Sequence, residues 1–69
     1  MILISKSKAH YIIENYHRTN ELKDIKGSFY IKEKDSYVAI DNTTGEAWTE
    51  EFKTLDEVRI FLNGGYVYE

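Results

Sequence analysis

YVAIDNTTGEAWTEEF, from Tyr37 to Phe52, holds two extended runs on either side of a glycine-containing turn. Residues 36–41 and 46–52 are rich in aromatic and β-branched side chains, and Asn42-Thr43-Thr44-Gly45 lies between them. Such runs flanking a turn cluster read as a β-hairpin. Glycine at the last turn position suits the left-handed conformation that closes a four-residue loop. Asp41 and Asn42 are good turn residues as well. Upstream, residues 28–33 (SFYIKE) form a third extended run, joined by a tight connection at Lys34-Asp35. The three runs predict an antiparallel meander.

Register follows from how the side chains sort. With Glu33 opposite Ser36 and Asp41 opposite Glu46, Phe29, Ile31, Val38, Ile40, Ala47 and Thr49 share one face. Tyr30, Lys32, Tyr37, Ala39, Trp48 and Glu50 share the other. A slip of one residue in either hairpin mixes the two sets, so this register is preferred.

Working outward, TLDEVRIFLNGG (54–65) carries a helix-start pattern. Thr54 is followed three residues later by Glu57, as in a capping box. Asp56 places negative charge near the positive end of the helix dipole. Leu55, Val58 and Leu62, joined by Phe61, form an inward stripe over residues 55–63, and Gly64-Gly65 ends it. At the other end, Ala9, Ile12, Ile13 and Tyr16 recur at helical spacing, predicting a helix over 6–18 capped by Ser5 or Ser7. A strand through Tyr11-Ile12-Ile13 is the competing reading. Leu22 and Ile25 point inward before Gly27. Met1 to Ile4 reads as a small strand or a tucked terminus, and residues 66–69 (YVYE) as a tail or an edge strand. The expectation is one α+β domain, residues 1–69: an N-terminal helix, a three-stranded antiparallel β-meander, and a C-terminal helix packed on the Phe29/Ile31/Val38/Ile40 face.

Composition narrows the function. With 69 residues and no cysteine, neither disulfides nor thiolate-bound metal can support the fold, so packing or a partner must. No apolar run approaches the roughly 20 residues of a membrane span, and Met1 to Ile4 is too short for a signal-peptide core. A cytoplasmic protein without a membrane partner is expected. No Gly-rich phosphate loop and no nucleophile–base spacing occurs, and the chain has little volume for a pocket of roughly 300–1,000 Å³. Neither an enzyme nor a cofactor is expected. The net charge of -3 is unevenly spread: residues 1–34 have seven Lys/Arg and four Asp/Glu, residues 35–69 two and eight. An acidic surface favours a basic partner.

Three groups of residues are candidate sites. Tyr30, Tyr37 and Trp48, on one sheet face, are either covered by the N-terminal helix through Ile12, Ile13 and Tyr16 or open as partner-binding anchors, with Glu46, Glu50 and Glu51 steering the encounter. Aromatic strand faces also stack nucleic-acid bases, but Lys32 is the single cation on this one, and Asp41 and the nearby glutamates repel phosphate. Asp35, Asp56 and Glu57 extend the acidic series, which also reads as turn and capping chemistry. His10, Glu14 and His17 align on a helix face without a zinc-protease pattern, and two surface histidines are the simpler reading; no metal is expected. Lys6, Lys8, Arg18, Lys23 and Lys26 form the basis of an alternative, a nucleic-acid-binding regulator. Self-association into a homodimer or assembly is a third reading.

The unit from Tyr37 to Leu62, with its Asp41-to-Gly45 turn, Ala47-Trp48, Glu50-Glu51-Phe52 and the Thr54-to-Leu62 helix, resembles a hairpin-plus-helix pattern of small accessory proteins from phages and mobile elements of low-GC bacteria. That resemblance implies a class: a small protein that binds a host protein, such as a nuclease or defence enzyme, and inhibits or modulates it.

Overall fold

The computed structural model of the chain describes residues 1–63. In chain order these form β1 (Ile2–Leu3), α1 (Lys6–Asn15), a 3-10 turn (Lys23–Ile25), β2 (Gly27–Lys32), β3 (Tyr37–Asn42), β4 (Trp48–Phe52) and α2 (Leu55–Leu62). The class is α+β. The sheet has four strands in the order β1-β2-β3-β4 and is mixed: β2, β3 and β4 are antiparallel, while β1 pairs with β2 in parallel. The expected three-stranded meander is therefore extended by the N-terminus, with Ile2 beside Phe29 and Leu3 beside Tyr30. Expectations for residues 64–69, the Gly64-Gly65 stop and the YVYE tail, lie outside the described residues.

Both helices start at the expected hydroxyls. The Lys8 N–H donates to Ser5 Oγ at 3.1 Å and the Glu57 N–H to Thr54 Oγ1 at 3.2 Å, each satisfying a first-turn donor. Glu57 completes its box differently from the usual one: Thr54 Oγ1 donates to Glu57 Oε1 at 3.0 Å. Helix α1 is shorter than expected, because Tyr16 onward turns back through Arg18, whose carbonyl accepts from the Glu21 and Leu22 N–H groups.

The first hairpin has the expected register, closed by the Glu33 N–H donating to the Ser36 carbonyl at 2.9 Å. The second is offset by two residues: Asp41 lies opposite Trp48, not Glu46. Asp41 Oδ1 accepts from both the N–H and the hydroxyl of Thr43, and Gly45 (φ 82°) and Ala47 (φ 50°) take left-handed backbone. Residues 43–47 are thereby held in the loop, and Ala47 leaves the strand for a half-buried loop position. Because the offset is even, each strand residue keeps its expected face.

The helices are exchanged relative to expectation. Ala9 and Ile12 of α1, with Ile25, bury Phe29, Ile31 and Ile40, while Ile4, Leu22 and Val38 pack around them. Val58 and Leu62 of α2 cover Ala39, with Tyr30, Tyr37, Phe52, Leu55 and Phe61 around them. The hydrophobic pattern says which residues share a face but not which helix covers it. Helix α1 lies in a crossover between parallel neighbours, and chirality governs which side such a helix takes. Helix α2 then fills the opposite side, where Ala39 leaves room among the aromatic rings. The expected inward stripe of α1 is also narrower: Ile13 and Tyr16 stay exposed.

Candidate partner-binding surface

Strand β4 is the edge of the sheet on the described residues. Four of its five residues, Trp48, Thr49, Glu50 and Glu51, are exposed, and Phe52 alone is drawn in beneath α2. Facing follows the ladder. Trp48 and Glu50 stand on the α2 side, opposite Asp41 and Ala39; Thr49 and Glu51 stand on the α1 side, opposite Ile40 and Val38. Trp48 retains 60% of its surface in contact with solvent. Among the described residues it is the most exposed of the large hydrophobic side chains, and it is the chain's single tryptophan.

The aromatic triad is thus divided. Tyr30 and Tyr37 are half-buried in the cluster under α2, their ring centroids 6.2 Å apart, and the Lys32 ammonium lies 4.9 Å from the Tyr37 centroid. Trp48, at the far end of β4 from α2's start, stands apart from that cluster. Glu46 is exposed in the loop just before it, and Glu50 follows two residues later on the same side. Glu51 accepts from Ser36 Oγ at 2.7 Å, which ties β4 to the first hairpin. The surface combines one large aromatic side chain with three glutamates.

Asn42 is a residue that sequence reasoning placed only as a turn former. Its side chain is fully buried. Nδ2 donates to the Ile25 carbonyl at 2.7 Å, and Oδ1 accepts from the Ala47 N–H at 3.0 Å. It joins the 3-10 turn to the β3–β4 loop and holds Ala47 in its left-handed conformation, one residue before Trp48. A signal was present: Val38, Ile40 and Asn42 recur at spacing two on a core face, where an amide must find partners.

The basic candidates are largely consumed by ion pairs. Lys6 Nζ meets Glu33 at 3.0 Å, Lys8 Nζ meets Asp24 at 2.6 Å, and Arg18 Nη2 meets Glu21 at 2.9 Å. Lys23 and Lys26 have no ion pair among the described residues. The Lys8 ammonium, by its hydrogen bond and charge, holds the Asp24 carboxyl below its ordinary pKa. His10 lies 3.6 Å from Glu14, and His17 meets Tyr16 edge-on, the centroids 5.4 Å apart. Among the described residues no three His, Asp or Glu side chains gather as metal ligands do. An open concavity of ≈ 500 Å³ at the first hairpin is lined by Glu33, Asp35 and Glu51 but also by Lys34 and Lys53, so its walls favour neither sign of ligand.

No family model, no curated protein and no solved structure matches this chain. Among the described residues, no helix is long and apolar enough to cross a membrane.

Proposed function

We propose that this chain is a protein-binding module, with Trp48 as the anchor and Glu46, Glu50 and Glu51 as the charges that draw in a cationic partner. The carrying observation is the 60% exposure of Trp48 on an acidic edge strand, away from the aromatic cluster that α2 covers. Tryptophan concentrates binding energy when a partner desolvates it, and surrounding carboxylates accelerate encounter with a basic surface. In this reading the partner is a host protein that handles nucleic acid, whose cleft is cationic because its substrate is a polyanion, and the chain inhibits or modulates it. Tyr30 and Tyr37 contribute through the packing that holds β3 and α2 together.

The test is capture of partners from host lysate with the native chain and with Trp48→Ala. Because Trp48 lies outside both core clusters, the variant should unfold at nearly the same denaturant concentration as the native chain. Its affinity for a captured partner should fall by about 2 kcal/mol or more, roughly thirtyfold. Equal affinity in a folded variant would sink the reading.

A further inference from the structure

We infer that the outer edge of β4 receives an extended cationic segment of the partner, which adds to the sheet as a further strand. The inference rests on the protein-binding reading above and specifies how the partner engages. An edge strand presents alternate backbone N–H and C=O groups outward, and such a row is a template for another chain. On the described residues β4 is such an edge, and it is a full five residues long. The opposite edge, β1, offers only Ile2 and Leu3.

Charge selects the occupant. Glu50 and Glu51 project to opposite sides of the same edge, and β4 itself carries no cation. A second copy pairing through β4 would bring carboxylates against carboxylates, which is destabilising for side chains on facing strands. A segment rich in Lys and Arg meets the opposite condition on both sides at once.

Strand geometry also sets the pattern of that segment. Residues opposite Trp48 and Glu50 share the α2 side, and the residue opposite Glu51 lies on the other. Counted along β4 from the residue opposite Trp48, the complementary segment therefore carries cations at its first, third and fourth positions, and a segment antiparallel to β4 carries the same set in reverse chain order. Arginine suits the first, because its guanidinium stacks on an indole face.

The experiment titrates the full chain at low salt with two capped seven-residue peptides, one carrying Arg-Thr-Arg-Lys for parallel addition and one Lys-Arg-Thr-Arg for antiparallel addition, following the emission of Trp48; the tighter binder is the parent peptide. Two further peptides have the same sequence with backbone N-methyl groups on one alternate set of residues or on the other. A strand uses one edge at a time, so methylation of one set should weaken binding by about tenfold or more while methylation of the other is tolerated. Glu50→Gln with Glu51→Gln should weaken the parent peptide about tenfold, and added salt should do likewise. Equal effects of the two methylated sets, whether both bind or neither does, overturn strand addition. Absence of binding by the parent peptide overturns it too, as does a peptide-free dimer whose β4 amides are protected. The Trp48→Ala capture experiment reports separately on the protein-binding reading, so the two failures are distinguishable.

Discussion

Asn42 sits where three parts of the chain meet: the end of β3, the carbonyl of Ile25 and the amide of Ala47. Replacement by alanine leaves a buried acceptor and a partly buried donor without partners. Asn42→Ala should therefore lose about 2–3 kcal/mol in chemical denaturation, well beyond an ordinary surface change. The neighbouring loop positions respond in opposite directions. Gly45 has φ 82°, and a Cβ there would approach Thr19 Cγ2 to 3.3 Å, so Gly45→Ala should destabilise by about 1–2 kcal/mol. Ala47 already bears the left-handed penalty at φ 50°, and Ala47→Gly should stabilise by a few tenths to about 1 kcal/mol. Thermal melts of the two variants shifting in the same direction would contradict this account. Of these three residues only Gly45 was legible from sequence, because glycine in a turn advertises its conformation. The buried duty of Asn42 and the left-handed Ala47 depend on a carbonyl 17 residues away in the chain.

At the scale of elements, the Lys8–Asp24 contact links α1 to the 3-10 turn across 16 residues of chain. Lys8 depresses the Asp24 pKa below 3.8, so the folded state binds the proton more weakly than the unfolded state. The resulting stability is present above about 3.8 and is lost as pH falls through the lower folded value. The effect is small, since the Asp24 side chain is 56% exposed and solvent screens the pair. Carboxyl titration by NMR should place Asp24 below the usual aspartate value in the native chain, and Lys8→Met should return it upward. Element identity was largely written in the sequence: the cap at Thr54, the alternation in β2 and β3, and the helical spacing around Ile12 all depend on neighbours within a few residues. Strand β4 starts two residues later than its alternation suggests, because an Asx turn at Asp41 and a left-handed Ala47 extend the loop without disturbing that alternation.

For the whole molecule, the sheet separates two small cores. Ile12 lies in one and Val58 in the other, and β3 supplies Ile40 to the first and Ala39 to the second. Ile12→Val should cost about 1 kcal/mol and Val58→Ala roughly 2 kcal/mol. Being on opposite faces of the sheet, they should add to within about 0.5 kcal/mol in the double variant. A large departure in equilibrium unfolding would reveal coupling through β3 that packing alone does not supply. The candidate surface belongs to this scale as well. Sequence placed Trp48, Tyr37 and Tyr30 on one face, yet α2 reaches the tyrosines and leaves Trp48 in solvent, a division set by the length and placement of one short helix.

The short-range features are written in the amino-acid order: strand alternation, helix caps, the glycine turn and the grouping of side chains by face. Each arises from steric and hydrogen-bonding preferences spanning a few residues. Long-range packing sets the rest: β1 joins the sheet in parallel, α1 and α2 take the sides they do, and Asn42 is buried while Trp48 is not. Those outcomes depend on chain crossing, on the space Ala39 leaves for α2, and on partners far apart in the chain, none of which a local hydrophobic pattern encodes.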